Sequence, residues 1–171
     1  MILSSNTYAL VAIVVFWFGS SVAALWWFEY RHWGSYSEQL ITFDSQPIRD
    51  LYPILKKDAL DRPLIVHFKD DDCPCERYRV AHVKQIAPVL LGTEQIVLSR
   101  HSSLLQGVTI PATPAVAIWD KQGALAYFGP YSSGMSCGEG FDFIDMVLGK
   151  LAQQENPQWI NNQGFGCFCP W

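Results

Sequence analysis

The spacing of apolar residues divides the chain into regimes, and the first is the plainest. From Tyr8 to Phe28 apolar residues run without a charged side chain, close to the ~20 residues a helix needs to cross a bilayer. Trp26, Trp27, Phe28, Tyr30 and Trp33 crowd its C-terminal end, as aromatic residues do at a membrane–water interface. A helix apolar on every face and this long is a membrane anchor rather than an amphipathic core helix. The rival reading is a cleaved secretory signal, with Ser21-Val22-Ala23 as the small-residue site. Against it, no Lys or Arg precedes the run, and apolar residues continue past that site.

Beyond Trp33 the periods shorten. Residues Gly34–Ser45 read as a linker into a domain spanning 46–154. Gln46–Leu60 carries Ile48, Leu51 and Leu55 on one helical stripe. Leu64–Phe68 is a short β-branched and apolar run, hence a strand. Arg77–Leu91 places Tyr78, Val83, Ile86, Leu90 and Leu91 near helical spacing, with Pro88 expected to bend or end it and Gly92 to stop it. Gln95–Ser99 is a second strand, and His101–Gln106 a short helical turn. Ala115–Trp119 and Ala124–Phe128 flank Asp120-Lys121-Gln122-Gly123, a hairpin turn. Phe141–Gln153 closes the domain as a helix with Phe141, Ile144, Val147, Leu148 and Leu151 inward. The order β-α-β, hairpin, helix predicts an α/β domain: a mixed sheet with helices on both faces. The tail from Glu155 holds Trp159, Phe165, Phe168 and Trp171. That many aromatic residues predict docking on something.

Charge changes this picture little. A net charge of −4 and the absence of a Lys/Arg cluster exclude a nucleic-acid partner. The cysteines change it more. Cys73-Pro74-Cys75 and Cys167-Phe168-Cys169 are two C-x-C pairs, and Cys137 stands alone. The first pair follows the strand Leu64–Phe68 and precedes a helix. A helix N-terminus favours a thiolate through its dipole and unpaired N–H groups, so Cys73 and Cys75 are the candidate reactive site. Asp70, Asp71 and Asp72 pull the other way, because nearby carboxylates disfavour a thiolate.

With these landmarks in place, residues 46–154 resemble the thioredoxin-like superfamily, in particular its membrane-tethered bacterial members. Leu64–Cys75 is similar to the family strand that runs into a redox-active cysteine pair. Thr113-Pro114 resembles the cis-proline loop that packs on that pair and contacts substrates. Asp120–Gly123 with Ala124–Gly129 resembles the closing hairpin. The departures are specific: the pair is one residue shorter than the usual C-x-x-C, and His67 takes the place of a buried acid. A histidine can accept a proton from the second cysteine near neutral pH.

The resemblance implies thiol–disulfide exchange without a cofactor: Cys73 attacks, Cys75 resolves, His67 handles the proton, and Thr113 and Pro114 shape the substrate groove. Partners would be protein thiols and disulfides and a redox-recycling protein. Cys167 and Cys169 are either a second dithiol that exchanges with the first or a pair that pins the tail, internally or through Cys137. Two readings from other classes compete. The thiolates Cys73, Cys75, Cys167 and Cys169 could bind Zn²⁺ or Cu(I), or the domain could be a non-catalytic adaptor. His82 and His101 read as ordinary helix and loop residues. Arg31, just after the apolar run, mildly favours a cytoplasmic domain by the positive-inside rule. The cysteine content and the resemblance favour export, so the expectation is a single-pass bacterial inner-membrane protein facing the periplasm.

Overall fold

The computed structural model describes residues 5–36, 45–56, 61–108, 110–133, 142–161 and 164–171. The chain divides into two units, Met1–Trp33 and Gly34–Trp171. In the first, helix α1 (Ser5–Leu25) continues into one π-helical turn, Trp26–Tyr30. Asn6–Phe28 is 23 residues long and apolar enough to cross a membrane. Its large apolar side chains from Leu10 to Phe28 are exposed throughout, a surface of the kind that a membrane or a partner buries.

The second unit is a mixed α/β fold. After a short strand β1 (Trp33–Ser35) come α2 (Gln46–Arg49), α3 (Leu51–Leu55), β2 (Leu64–Lys69), α4 (Glu76–Gln85) and β3 (Glu94–Ser99). Strands β4 (Ala112–Thr113), β5 (Ala115–Trp119) and β6 (Leu125–Gly129), helix α5 (Phe143–Ala152), and strands β7 (Trp159–Ile160), β8 (Phe165–Cys167) and β9 (Cys169–Pro170) follow. The main sheet has the order β3-β2-β5-β6-β7. β2 runs parallel to β3 and antiparallel to β5, β5 and β6 form the antiparallel hairpin, and β7 lies parallel to β6.

The central strands are buried on both faces because alternate side chains enter different cores. Leu64, Val66 and Phe68 join Ile48, Leu51, Ala117, Trp119 and Phe128 on one face. Ile65, Val116, Ile118 and Tyr127 meet Ile86, Leu90, Ile144 and Val147 on the other. Removing most of one such side chain, as in Phe68→Ala, costs about 3–5 kcal/mol. Helix α5 is anchored by Asp142, whose Oδ1 accepts from the N–H groups of Ile144 (2.8 Å) and Asp145 (3.0 Å).

Several sequence-based expectations change. Within the helix expected over 46–60, the described residues form two short helices, and 57–60 lie outside them; Pro53 has no N–H to donate to Arg49, so the ladder breaks between the two. The helix after the cysteines ends at Gln85, followed by turns through Pro88 to Gly92. Leu91, expected inside, is exposed, while His82 is fully buried. The tail belongs to the fold, since Trp159–Ile160 is the fifth strand of the sheet. Tyr36, within the expected linker, is buried; its N–H donates to Gly164 O at 2.7 Å. Cys137, Phe141 and the linker stretch 37–44 lie outside the described residues.

Candidate functional site: four cysteines at the end of the central strand

β2 delivers the chain to a tight turn at Asp70–Cys73. Cys73 N–H donates to Asp70 O at 3.1 Å, and Asp70 Oδ1 accepts from Asp72 N–H at 3.1 Å. The acidic run is largely compensated. Burial pushes the Asp70 carboxyl up, but Arg100, donating to its Oδ2 at 2.9 Å, and the Asp72 N–H together hold it below its ordinary value. Asp71 is lowered by Lys69 and by Ser99, whose hydroxyl donates at 2.8 Å. Helix α4 then starts with Cys75 at its N-cap position. Both candidate cysteines therefore sit at the helix terminus, as the sequence pattern implies.

Their bonding differs from a pair closed on itself. Cys73 is bonded to Cys169 and Cys75 to Cys167, with Cα–Cα distances of 5.9 and 5.4 Å. The two C-x-C segments thus face each other and are joined twice. The tail is pinned, but onto the Cys-Pro-Cys turn rather than internally. Cys75 Sγ lies 3.9 Å from Cys169 Sγ across the two bonds. Cys75 is completely buried, and Cys73, Cys167 and Cys169 are 5–8% exposed.

Thr113 and Pro114 form the wall of the site. Their peptide bond is cis, as the resemblance implies, and Thr113 O lies 3.9 Å from Cys73 Sγ. The edge of β4 pairs antiparallel with β9, Thr113 opposite Cys169 and Ala112 opposite Pro170. Phe168 packs edge-on against Tyr36 with centroids 5.1 Å apart. Arg100 Nη1 donates to Pro170 O at 3.5 Å, and its guanidinium lies 5.8 Å from the Trp171 ring centre. Arg100 therefore ties the acidic turn to the tail, a role its position in the sequence did not signal.

His67 faces the α4 and α5 side of β2. Its Nδ1 is 2.6 Å from Tyr131 Oη, and the two rings stack at 5.8 Å. Among the described residues no hydrogen bond joins it to a sulfur. Burial, reinforced by the Arg79 charge, lowers its pKa to about 4, so the ring is neutral at pH 7. The Tyr131 ring also meets His82 edge-on at 5.7 Å, and His82 Nε2 lies 3.2 Å from Asp142 Oδ2. His82, Tyr131 and Asp142 were not expected from the sequence; His82 falls on the inward stripe of α4 one residue from Val83, which was the available signal. A surface cleft of about 660 Å³, lined by Pro63, Leu91, Thr93, Asp120 and Leu148 among others, holds none of the cysteines.

Among known families, residues 46–171 match a domain of unknown function, DUF6436. The chain belongs to this family. The match runs through both C-x-C segments to the C-terminal residue, so the family domain includes the pinned tail as well as the sheet. No curated protein matches the chain.

Proposed function

We propose that this DUF6436 protein is a membrane-tethered thiol–disulfide oxidoreductase with a thioredoxin-like soluble domain. One observation carries the reading: a disulfide from the end of the central strand, Cys73–Cys169, lies against the carbonyl of a cis Thr113–Pro114 bond, with a strand paired beside it. β9 occupies that edge as an extended polypeptide substrate would, main chain paired beside the sulfur, so release of the tail would open it for main-chain recognition. The strand order, with β2 parallel to β3 and antiparallel to the hairpin strand β5, supports the same resemblance.

In this reading a partner dithiol opens Cys73–Cys169. One partner thiolate attacks a sulfur of that bond, forming a mixed disulfide, and the electron pair leaves on the other sulfur. The partner's second thiolate then closes its own disulfide and releases both cysteines reduced. Free Cys73 attacks a substrate disulfide in the same way. Cys75, fully buried beside it, resolves the mixed disulfide once Cys75–Cys167 is also reduced. His67, neutral at pH 7, shares a hydrogen bond with Tyr131 through Nδ1 on the other face of β2. The two disulfides suit an oxidising compartment, which supports a domain facing the periplasmic side of a bacterial inner membrane.

The test is a glutathione redox titration of the full chain in detergent micelles, after chelation, with each cysteine mapped by alkylation and mass spectrometry. Reversible two-electron couples involving Cys73 are expected. A Cys73→Ser variant that kept full exchange activity toward a peptide disulfide would overturn the assignment. Labelling a cysteine introduced at an exposed soluble-domain position (Lys121→Cys) in intact cells, with a membrane-impermeant reagent, tests the topology; protection of that cysteine would reverse it.

A further inference from the structure

The same cysteines have a second capacity, independent of exchange. The sulfurs of Cys73, Cys75 and Cys169 lie within 4.8 Å of one another, and all three residues are buried. Cys167 is bonded to Cys75 but falls outside this triangle. Metal–sulfur bonds of about 2.3 Å around a trigonal centre require sulfurs about 4 Å apart. The non-bonded Cys75–Cys169 separation is 3.9 Å. Reduction breaks the Cys73–Cys169 bond and lets those two sulfurs part to ordinary contact, close to the separation that a trigonal centre needs.

We infer that the reduced protein holds a three-thiolate site for Cu(I), made by Cys73, Cys75 and Cys169, and that the oxidised protein does not. Soft thiolates select Cu(I), which accepts three sulfurs, whereas structural Zn²⁺ takes four ligands in a tetrahedron. Two supports for the anionic cluster are already present. The 10-residue helix α4 begins at Cys75 and directs its positive end at the site. The tail, held by Phe168 on Tyr36 and by Arg100 at Pro170, keeps the sulfurs sealed from water. The chemistry balances. Two equivalents of a dithiol reductant become two disulfides while Cys73–Cys169 and Cys75–Cys167 become four thiols. Cu(I) binding then releases protons from three of them to solvent. The ion is a ligand and changes no oxidation state.

The experiment uses the full chain in micelles under anaerobic conditions, reduced and freed of reductant, titrated with Cu(I) against a coloured chelator. One Cu(I) per chain is expected, with none held by the oxidised form. Cys75→Ser should weaken binding at least about 100-fold, more than losing an outer-shell partner costs, while Cys167→Ser should leave it within a few-fold. The oxidised Cys75→Ser protein keeps Cys73–Cys169, so its circular dichroism reports whether it is folded. Binding that needs Cys167 equally, a preference for Zn²⁺ over Cu(I), or no binding above that of a variant lacking all four cysteines would each overturn the inference. The redox titration is read separately, so failure of the copper site leaves the exchange reading standing, and the reverse.

Discussion

His67 makes the soluble unit acid-sensitive in a window of its own. Its pKa is lowered from 6.5 to about 4 on folding, first by burial and then by Arg79. The unfolded chain therefore binds a proton that the folded chain refuses between those values. Stability is fully present above pH 6.5 and falls as the pH drops towards 4, by about 3 kcal/mol in all. The lowered carboxylates Asp70, Asp71 and Asp142 lose their contribution at still lower pH, below the ordinary carboxylate value of 3.8. Glu76 works the other way, since burial raises its pKa against the pull of Arg79. Urea unfolding at pH 7.5 and 4.5 should show His67→Phe losing less stability between the two than the native chain, by up to that 3 kcal/mol. Equal losses would mean that His67 does not carry the window. Gly129 is a separate constraint at this scale. It has φ +156°, and an added Cβ would lie 2.6 Å from Asn161 O on the strand-to-tail crossing. Gly129→Ala should cost about 1–3 kcal/mol, read as a lower melting temperature.

Helix α5 depends on one carboxylate doing two tasks. Asp142 caps the helix through Oδ1 and faces His82 with Oδ2. Losing the cap alone costs about 1 kcal/mol. Asp142→Ala should exceed that, because it also leaves the fully buried His82 ring facing a void where an acceptor stood. Asp142→Asn keeps the capping oxygen and fills the space beside His82 with an amide NH2, so it should recover at least the cap's share of the loss; equal damage from the two variants would put the effect elsewhere. At this scale the sequence was most legible where period and punctuation agree. β2, β5 and the Asp120–Gly123 turn follow from β-branched runs closed by a turn, and Asp120 Oδ1 indeed accepts from the N–H groups of Gln122 and Ala124. It was least legible where tertiary contacts decide. Trp159–Ile160 is too short to announce itself as a strand and is one because β6 offers its edge. Leu91 fits a helical stripe, but the helix has already ended, so its side chain points to solvent.

For the whole molecule, the position of the Cys-Pro-Cys turn could be read from the order of residues and the cis Thr113–Pro114 bond was implied by the resemblance, whereas the partner of each cysteine could not be read. Pairing is a property of which segments the sheet brings together, and only the folded chain shows β9 alongside β4. That cross-pairing has a thermodynamic signature. The bridges span 96 and 92 residues, and a lone bridge of that span contributes about 4.5 kcal/mol by restricting the unfolded chain. Because they share nearly the same ends, the second bridge closes a ring of only a few residues and adds about 2 kcal/mol. Removing Cys73–Cys169 by double serine replacement, or Cys75–Cys167 likewise, should therefore cost about 2 kcal/mol in denaturant unfolding without reductant. Removing both should cost about 6–7 kcal/mol, well beyond the sum of the two single losses. Additive losses would mean that the two bridges do not constrain the same loop. If, instead, either single loss already equalled the double, the tail would be held by one bridge and the other would be free to open and close as exchange chemistry requires.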